Sequence, residues 1–165
     1  TDHHTPGDRI ADTIVINPKQ PGCGYPFKEL CGCGVAYKLA QALRNTLNLP
    51  KNTINRGLDL VAIATVADIV PLVDENRPII KYGLKRIHGG NRLGLSGLIR
   101  EIGLDEKTIN AGRIAFVIGP HIKAGGRVDT ANAALELLQE TDPEKIQGLA
   151  EQLIYNNNLR KSLQQ

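Results

Sequence analysis

Apolar residues recur along this chain with the spacing of α-helices. In residues 35–47 they stand mostly three or four positions apart, which predicts a helix with one buried face. Residues 76–89 repeat this pattern, with Ile80 on the buried side. Residues 58–73 are apolar nearly throughout, so we expect a buried helix there that ends near Asp68, before Pro71. The pattern therefore predicts a mostly helical chain.

Further helices are predicted toward the C-terminal end. Weaker repeats indicate them over residues 95–102, 107–117, 130–138 and 143–163. The last and longest has a clear start signal, Thr141-Asp142-Pro143-Glu144, which combines a capping side chain, a proline in the first turn and an early acid. The pairs Gly119-Pro120 and Gly125-Gly126 predict a turn-rich segment ahead of these closing helices.

One segment has the character of a strand. Thr13-Ile14-Val15-Ile16 is a β-branched run that stops at Asn17-Pro18, and we interpret it as a buried strand of a parallel sheet. Residues 18–34 contain three prolines and four glycines, which predicts a loop. One strand followed by many helices predicts a remnant of an α/β domain and not a complete α/β fold.

Composition limits the class of protein. The 165 residues suffice for one domain or a large piece of one, and the absence of Met even at position 1 suggests an internal piece of a longer protein. No stretch reaches the roughly 18 apolar residues of a membrane span, and no secretory signal is present, so we expect no membrane association.

Three cysteines, an odd number, fit a reducing cytoplasm. The net charge of +3 permits nucleic acid as a partner without requiring it.

The first residues, Asp2-His3-His4, are candidate metal ligands. A neutral imidazole binds divalent transition metals, and a neighbouring carboxylate can fix its tautomer. Three adjacent residues cannot complete a coordination sphere, so a distant partner is required. The alternative interpretation is a frayed terminus or the remnant of a tag.

Asp68 is the candidate partner. Asp59 and Asp68 are nine residues apart, which at about 100° per residue places them on opposite sides of one helix. Asp59 lies near the helix start, where the macrodipole favours a carboxylate, whereas Asp68 lies near the end, where the macrodipole disfavours one. A bound cation would compensate for that position. A structural hydrogen-bonding role for Asp68 is the alternative.

Positive charge is concentrated in two stretches. Residues 77–92 contain five Lys or Arg and no acid, which indicates either a solvated helix face or a phosphate-contacting one. In residues 119–127 glycines surround His121, Lys123 and Arg127. Glycines let the backbone approach a phosphate closely and Arg can bond two of its oxygens, so we expect nucleic-acid contacts from these three side chains. An ordinary connecting loop is the alternative.

Several segments together carry a family resemblance. They are Asp2-His3-His4-Thr5, Ile16-Asn17-Pro18, Tyr25-Pro26-Phe27-Lys28-Glu29-Leu30, and residues 34–43, 58–72, 118–127 and 157–160. In these segments the chain resembles the DHH phosphoesterases, in the branch of the RecJ-type single-strand-specific exonucleases.

The resemblance implies phosphodiester hydrolysis with two Mn²⁺ or Mg²⁺ ions. By position in the family's motifs, His3 and Asp68 would be metal ligands, His4 would lie beside the scissile phosphate, Asp2 would support the two histidines, and Arg127 would hold a backbone phosphate. Two departures stand out: Lys123 occupies a position that is usually Asn, and the family's other aspartate motifs would lie upstream of residue 1.

The resemblance also implies a domain plan and a function. The fold would be the C-terminal part of an α/β, parallel-sheet domain of the DHH type, mostly helical and ending in a long connecting helix. Residues 1–129 would be part of the DHH catalytic domain, and residues 130–165 would be helices leading to a DHH-associated domain. The expected function is 5′→3′ exonuclease activity on single-stranded DNA in repair and recombination, in the bacterial cytoplasm, with single-strand-binding or repair proteins as partners. The chain alone is expected to be inactive and to bind no ions stably. The alternatives are a phosphatase of short oligonucleotides or dinucleotides, and a non-catalytic nucleic-acid-binding module.

Overall fold

The computed structural model describes residues 1–50, 52–128 and 131–163, without the side chains of residues 127 and 128. The α-helices are α1 (Gly32–Thr46), α2 (Asn52–Asn55), α3 (Leu58–Ala67), α4 (Asn76–His88), α5 (Leu93–Glu101), α6 (Ala111–Arg113), α7 (Gly119–Val128), α8 (Asn132–Gln139) and α9 (Pro143–Ser162). A 3₁₀ turn (Glu106–Thr108) precedes α6, and a π-helical segment (Ile114–Ile118) joins α6 to α7. Within these ranges no helix combines the length and the apolar character that crossing a bilayer requires.

The chain divides into two compact units, residues 1–83 and 84–165. The domain boundary predicted between residues 129 and 130 falls on positions outside the described residues, and it stays a prediction.

Most of the helices predicted from apolar spacing are confirmed, but the one predicted at residues 107–117 begins only at Ala111 and is π-helical from Ile114. The amphipathic repeat at 35–47 lies in α1, which begins three residues earlier because the Cys31 thiol accepts a hydrogen bond from Gly34 N–H and caps the helix. The apolar run forms α3, and Asp68 is the residue that directly follows its last turn. The start signal before α9 acts as expected, since the Asp142 carboxylate accepts a hydrogen bond from Glu144 N–H.

The strand predicted at residues 13–16 is wrong for this structure. Ile14 is 91% exposed, and the segment has no regular secondary structure. A backbone hydrogen bond from Asp2 N–H to Ile16 C=O joins it to the first residues. A strand needs a ladder of such bonds to a neighbour, and the described part of the chain contains no strand that could supply one. The mostly helical part of the fold prediction is confirmed, and its parallel sheet is not.

The turn-rich segment predicted between the two glycine pairs is also wrong. Residues 111–128 are helical without interruption, through α6, the π-helical segment and α7. Gly119 N–H donates to the carbonyl of Ile114, five residues back, which is the bond of a π turn. Pro120 follows directly, where the regular hydrogen-bond ladder is already interrupted, so its missing N–H is tolerated there.

The first unit is organised around α1 and α3. Its core contains Phe27, Leu30, Val35, Val61 and Ile79. Gly83 lets α4 approach α3 closely, because a Cβ at this position would come within 2.5 Å of the Leu58 carbonyl oxygen. The beginning of α1 and the end of α3 are thus parts of one packed body.

A polar network in the same unit surrounds Glu75. Its carboxylate forms an ion pair with Lys38 and accepts a hydrogen bond from the Tyr25 hydroxyl at 2.7 Å. Burial alone would raise the pKa of Glu75, but the hydrogen bonds from Lys38 and Tyr25 outweigh it and hold this pKa below its ordinary value of 4.5.

This network is expected to make folding stability depend on pH. Because the folded-state pKa of Glu75 is depressed, its contribution is present above pH 4.5 and is lost as the pH falls through the folded-state value. We expect Glu75→Gln to lower the free energy of unfolding at pH 7 and to have little effect at pH 3, as measured by urea denaturation. An equal loss at both pH values would contradict this assignment.

The second unit packs α5, α7, α8 and α9 around a core of aliphatic residues. Its buried members are Leu98, Ala133, Ala134, Leu137, Ile146, Ala150 and Leu153. Two glycines of α5 permit the close packing: a Cβ at Gly94 would overlap the Leu137 carbonyl, and one at Gly97 would overlap the Ile146 side chain. This unit therefore depends on small residues where its helices cross.

Candidate metal centre

Asp2 organises the first residues of the chain. Its Oδ1 accepts hydrogen bonds from His3 N–H at 2.7 Å, from His4 N–H at 3.2 Å and from His4 Nδ1 at 2.8 Å. The side-chain bond from His4, followed by the two backbone bonds, lowers the pKa of Asp2 to about 2. The carboxylate is therefore ionised at neutral pH, and it fixes Nδ1 as the protonated nitrogen of the His4 ring.

Asn17 anchors this segment from the following loop. Its buried side-chain amide donates to the His4 carbonyl at 2.8 Å and accepts from Lys19 N–H at 2.9 Å. The bond from Asp2 N–H to Ile16 C=O lies one residue away. Residues 2–4 are therefore held at both of their backbone ends, and they are not frayed.

His3 and Asp68 face each other although they are far apart in the sequence. His3 Nε2 lies 3.4 Å from Asp68 Oδ2, and the two side chains are 16% and 37% exposed. Asp68 sits where α3 ends, and the next residue, Ile69, has a φ of +58°. A β-branched residue in the left-handed region carries backbone strain, and such strain is concentrated at functional sites.

The chemistry of this pair fits a divalent cation. Imidazole and carboxylate together suit Mn²⁺ and related ions. Two neighbouring ligands of one octahedral ion, each about 2.1 Å from it, lie about 3 Å apart, which is close to the separation of His3 Nε2 from Asp68 Oδ2. In the residues that the structure describes, no group of three or more His, Cys, Asp or Glu could hold a metal, so this pair would be part of a larger coordination sphere.

Gly32, the first residue of α1, lies directly against the His3 ring. A Cβ at this position would stand 3.3 Å from His3 Cδ2. Neither Gly32 nor Asn17 was singled out from the sequence as a site residue. In the sequence, Gly32 is one of several glycines in a predicted loop, and Asn17 is part of the Ile16-Asn17-Pro18 segment that carries the family resemblance.

The three predicted nucleic-acid contacts belong to the second unit and differ in their placement. His121 is buried, and its Nδ1 donates to the Val117 carbonyl at 2.8 Å. Burial is the main cause that lowers its pKa, so its ring is neutral at physiological pH and poorly placed for a phosphate. Lys123 is exposed on α7. The side chain of Arg127 lies outside the described residues.

Known proteins resemble this chain in sequence and in fold. The profile of the DHH family, N-terminal domain, matches residues 1–65. The single-stranded-DNA-specific exonuclease RecJ of Bacillus subtilis is 44% identical over 164 residues, which are 99% of this chain and 20% of that protein. A crystal structure of RecJ from Thermus thermophilus in complex with Mn²⁺ is 36% identical, with a TM-score of 0.85 over 98% of this chain and 24% of that one.

The Mg²⁺ complex of the Thermus protein matches as well, with a TM-score of 0.75 and 36% identity over 85% of this chain and 22% of that one. The chain thus spans about a fifth to a quarter of the length of these relatives. The likeness nevertheless covers nearly all of the chain, in sequence and in fold. Residues 1–65 therefore carry the likeness to the DHH family, and nearly the whole chain is similar to the RecJ exonucleases.

Proposed function

We propose that the protein containing this chain is a metal-dependent 5′→3′ exonuclease that hydrolyses single-stranded DNA by two-metal catalysis. The observation that carries the proposal is the approach of His3 Nε2 to Asp68 Oδ2 at 3.4 Å. The RecJ names of the relatives, and the Mn²⁺ and Mg²⁺ bound in the Thermus structures, support the same activity. In this proposal residues 1–129 belong to the catalytic domain and residues 130–165 lead away from it.

His3 and Asp68 would hold one ion jointly. A bound Mn²⁺ or Mg²⁺ would lower the pKa of a water molecule and would stabilise negative charge on the phosphate. The His3 side chain is only 16% exposed, which limits the motion of its ring. The helical backbone at Asp68 places the carboxylate opposite this ring. The further ligands are proposed to be carboxylates from outside this chain, so the chain alone is expected to be inactive.

His4 and Asp2 would act together beside the phosphate. Because Asp2 engages Nδ1 of His4, Nε2 is the ring nitrogen that would donate to the substrate. An imidazolium at this position would stabilise negative charge on a phosphate oxygen or protonate the leaving oxygen. The His4 side chain is 77% exposed, so substrate can reach it.

Lys123 and Arg127 are the proposed contacts to the DNA backbone. Lys123 is exposed on α7, and Arg127 follows one turn later on the same helix. Two cationic residues of one helix would contact a strand of phosphates, and binding of this kind weakens as salt rises. Repair proteins and single-strand-binding proteins in the bacterial cytoplasm are the proposed partners.

Substrate length distinguishes the proposed function from its alternatives. We expect the whole protein with Mn²⁺ to degrade a long single strand labelled at its 3′ end into fragments that shorten progressively from the 5′ end. A phosphatase of short substrates would instead cleave a dinucleotide faster than the long strand. A binding module would retain the strand without cleaving it in either assay.

A further inference from the structure

We propose that Gly32 is a positioning residue of the metal centre, because its lack of a side chain sets where the His3 imidazole stands opposite Asp68. The inference rests on the proposed metal-binding role of His3 and Asp68. The start of α1 lies outside the two sequence motifs that contain His3 and Asp68, so this role is additional to theirs.

The geometry limits what position 32 can carry. A Cβ there would stand 3.3 Å from His3 Cδ2 and 3.9 Å from His3 Nε2. The shorter distance is tighter than ordinary van der Waals contact, so the neighbour would have to move by a few tenths of an ångström. Nε2, which faces Asp68 Oδ2 at 3.4 Å, belongs to the same rigid ring and would move with it.

The ring is the part that would yield, because the start of α1 is fixed from behind. Cys31 is buried, and its Sγ accepts from Gly34 N–H at 3.3 Å and lies 3.5 Å from Thr65 Oγ1 of α3. Thr65 in turn donates to the Val61 carbonyl at 2.7 Å within α3. Helix α3, which Asp68 directly follows, is therefore tied to the start of α1.

A displacement of a few tenths of an ångström is large for a metal ligand. Metal–ligand distances in functional sites stay within about 0.2 Å of their preferred values. Residues that orient a ligand without touching the metal typically change metal affinity or activity by about 10–100-fold when they are replaced. Gly32 would act in this way through the Cδ2–Nε2 side of the His3 ring.

A substitution at position 32 separates this role from folding. Alanine is a better helix former than glycine, so Gly32→Ala is not expected to lower the melting temperature. Gly34→Ala is the matched control, since its Cβ would also approach a neighbour at 3.3 Å in the same helical turn, but that neighbour is Leu30. The two variants differ in whether the added methyl group meets His3.

The experiment measures Mn²⁺ binding to the whole protein without DNA, by calorimetry, together with the Mn²⁺ concentration that gives half-maximal nuclease activity. We expect Gly32→Ala to weaken binding and to raise that concentration by about 10–100-fold. The kcat at saturating Mn²⁺ should largely recover. Gly34→Ala should stay within about twofold of the wild-type protein in both measurements.

Asp68→Asn, measured in the same series, separates the two possible failures. If Asp68→Asn loses Mn²⁺ affinity while Gly32→Ala keeps it, the positioning role is wrong and the proposed metal centre stands. Equal losses in Gly32→Ala and Gly34→Ala also overturn the positioning role, because the effect would then belong to the helix start in general. If Asp68→Asn binds Mn²⁺ like the wild-type protein, the metal centre fails and the role of Gly32 fails with it.

Discussion

Replacing Asp68 by Asn is expected to lower the kcat of the whole protein on single-stranded DNA by about 10³-fold or more at fixed Mn²⁺. Loss of a charged ligand removes several kcal/mol of transition-state stabilisation, and each 1.4 kcal/mol is about tenfold in rate. Asparagine keeps the size of the side chain and an oxygen at the same place. The change therefore tests the negative charge opposite His3 Nε2 with little disturbance of packing.

The same change should leave folding nearly intact. The Asp68 side chain is 37% exposed, and ion pairs of this exposure contribute about 0–1 kcal/mol. Asp74→Asn is the control, because Asp74 is an exposed carboxylate in the same loop with a φ of +43°, a conformation that asparagine tolerates. Retained activity in Asp68→Asn would show that the His3–Asp68 contact has no catalytic role.

Replacing Gly94 by Ala is expected to destabilise the second unit by about 2 kcal/mol or more. The added Cβ would overlap the Leu137 carbonyl oxygen and stand 2.7 Å from its carbon, and both are backbone atoms that cannot rotate away. Overpacking of this kind costs about 1–3 kcal/mol, and more where the backbone must shift. The higher helix propensity of alanine returns only about 1 kcal/mol.

Relief by a movement of α8 is restricted on two sides. Leu137 is fully buried, and Arg92 Nη1 donates to the Leu138 carbonyl at 3.0 Å, which ties the end of α8 to the start of α5. Gly148→Ala is the control, since a Cβ there meets nothing within 4 Å on α9, and it should be neutral or slightly stabilising. Urea unfolding followed by circular dichroism measures both. Equal stability of the two variants would contradict the close crossing of α5 and α8.

Helices were predictable because their signals are local. The spacing of apolar residues located α1, α4 and α9, and the uniformly apolar run located α3 to within about one residue of its end. The strand at residues 13–16 was not predictable in the same way, since a strand exists only when another segment pairs with it. Its β-branched composition is compatible with both outcomes.

Glycine and proline gave misleading signals at two places. They suggested turns at residues 119–126, where the preceding π turn lets the helix continue through Pro120. The role of Gly32 was not predictable, because the lack of a side chain matters only where a residue distant in the sequence, here His3, packs against it. Residue type and position made His3 and Asp68 candidate metal ligands but left structural roles open for both, and the family resemblance favoured the metal role.

The π turn between Ile114 and Ile118 has a consequence for insertions and deletions. Such a turn amounts to one additional residue within an otherwise regular α-helix. Removing one residue from positions 115–117 would return this stretch to α-helical geometry and leave both flanks in phase. The same deletion within α9 would rotate all later residues of that helix by about 100° about its axis, and it would expose their buried side chains to solvent. A one-residue deletion within the π turn therefore keeps the two flanks in phase, and its cost is the accommodation of Pro120 in a regular helix.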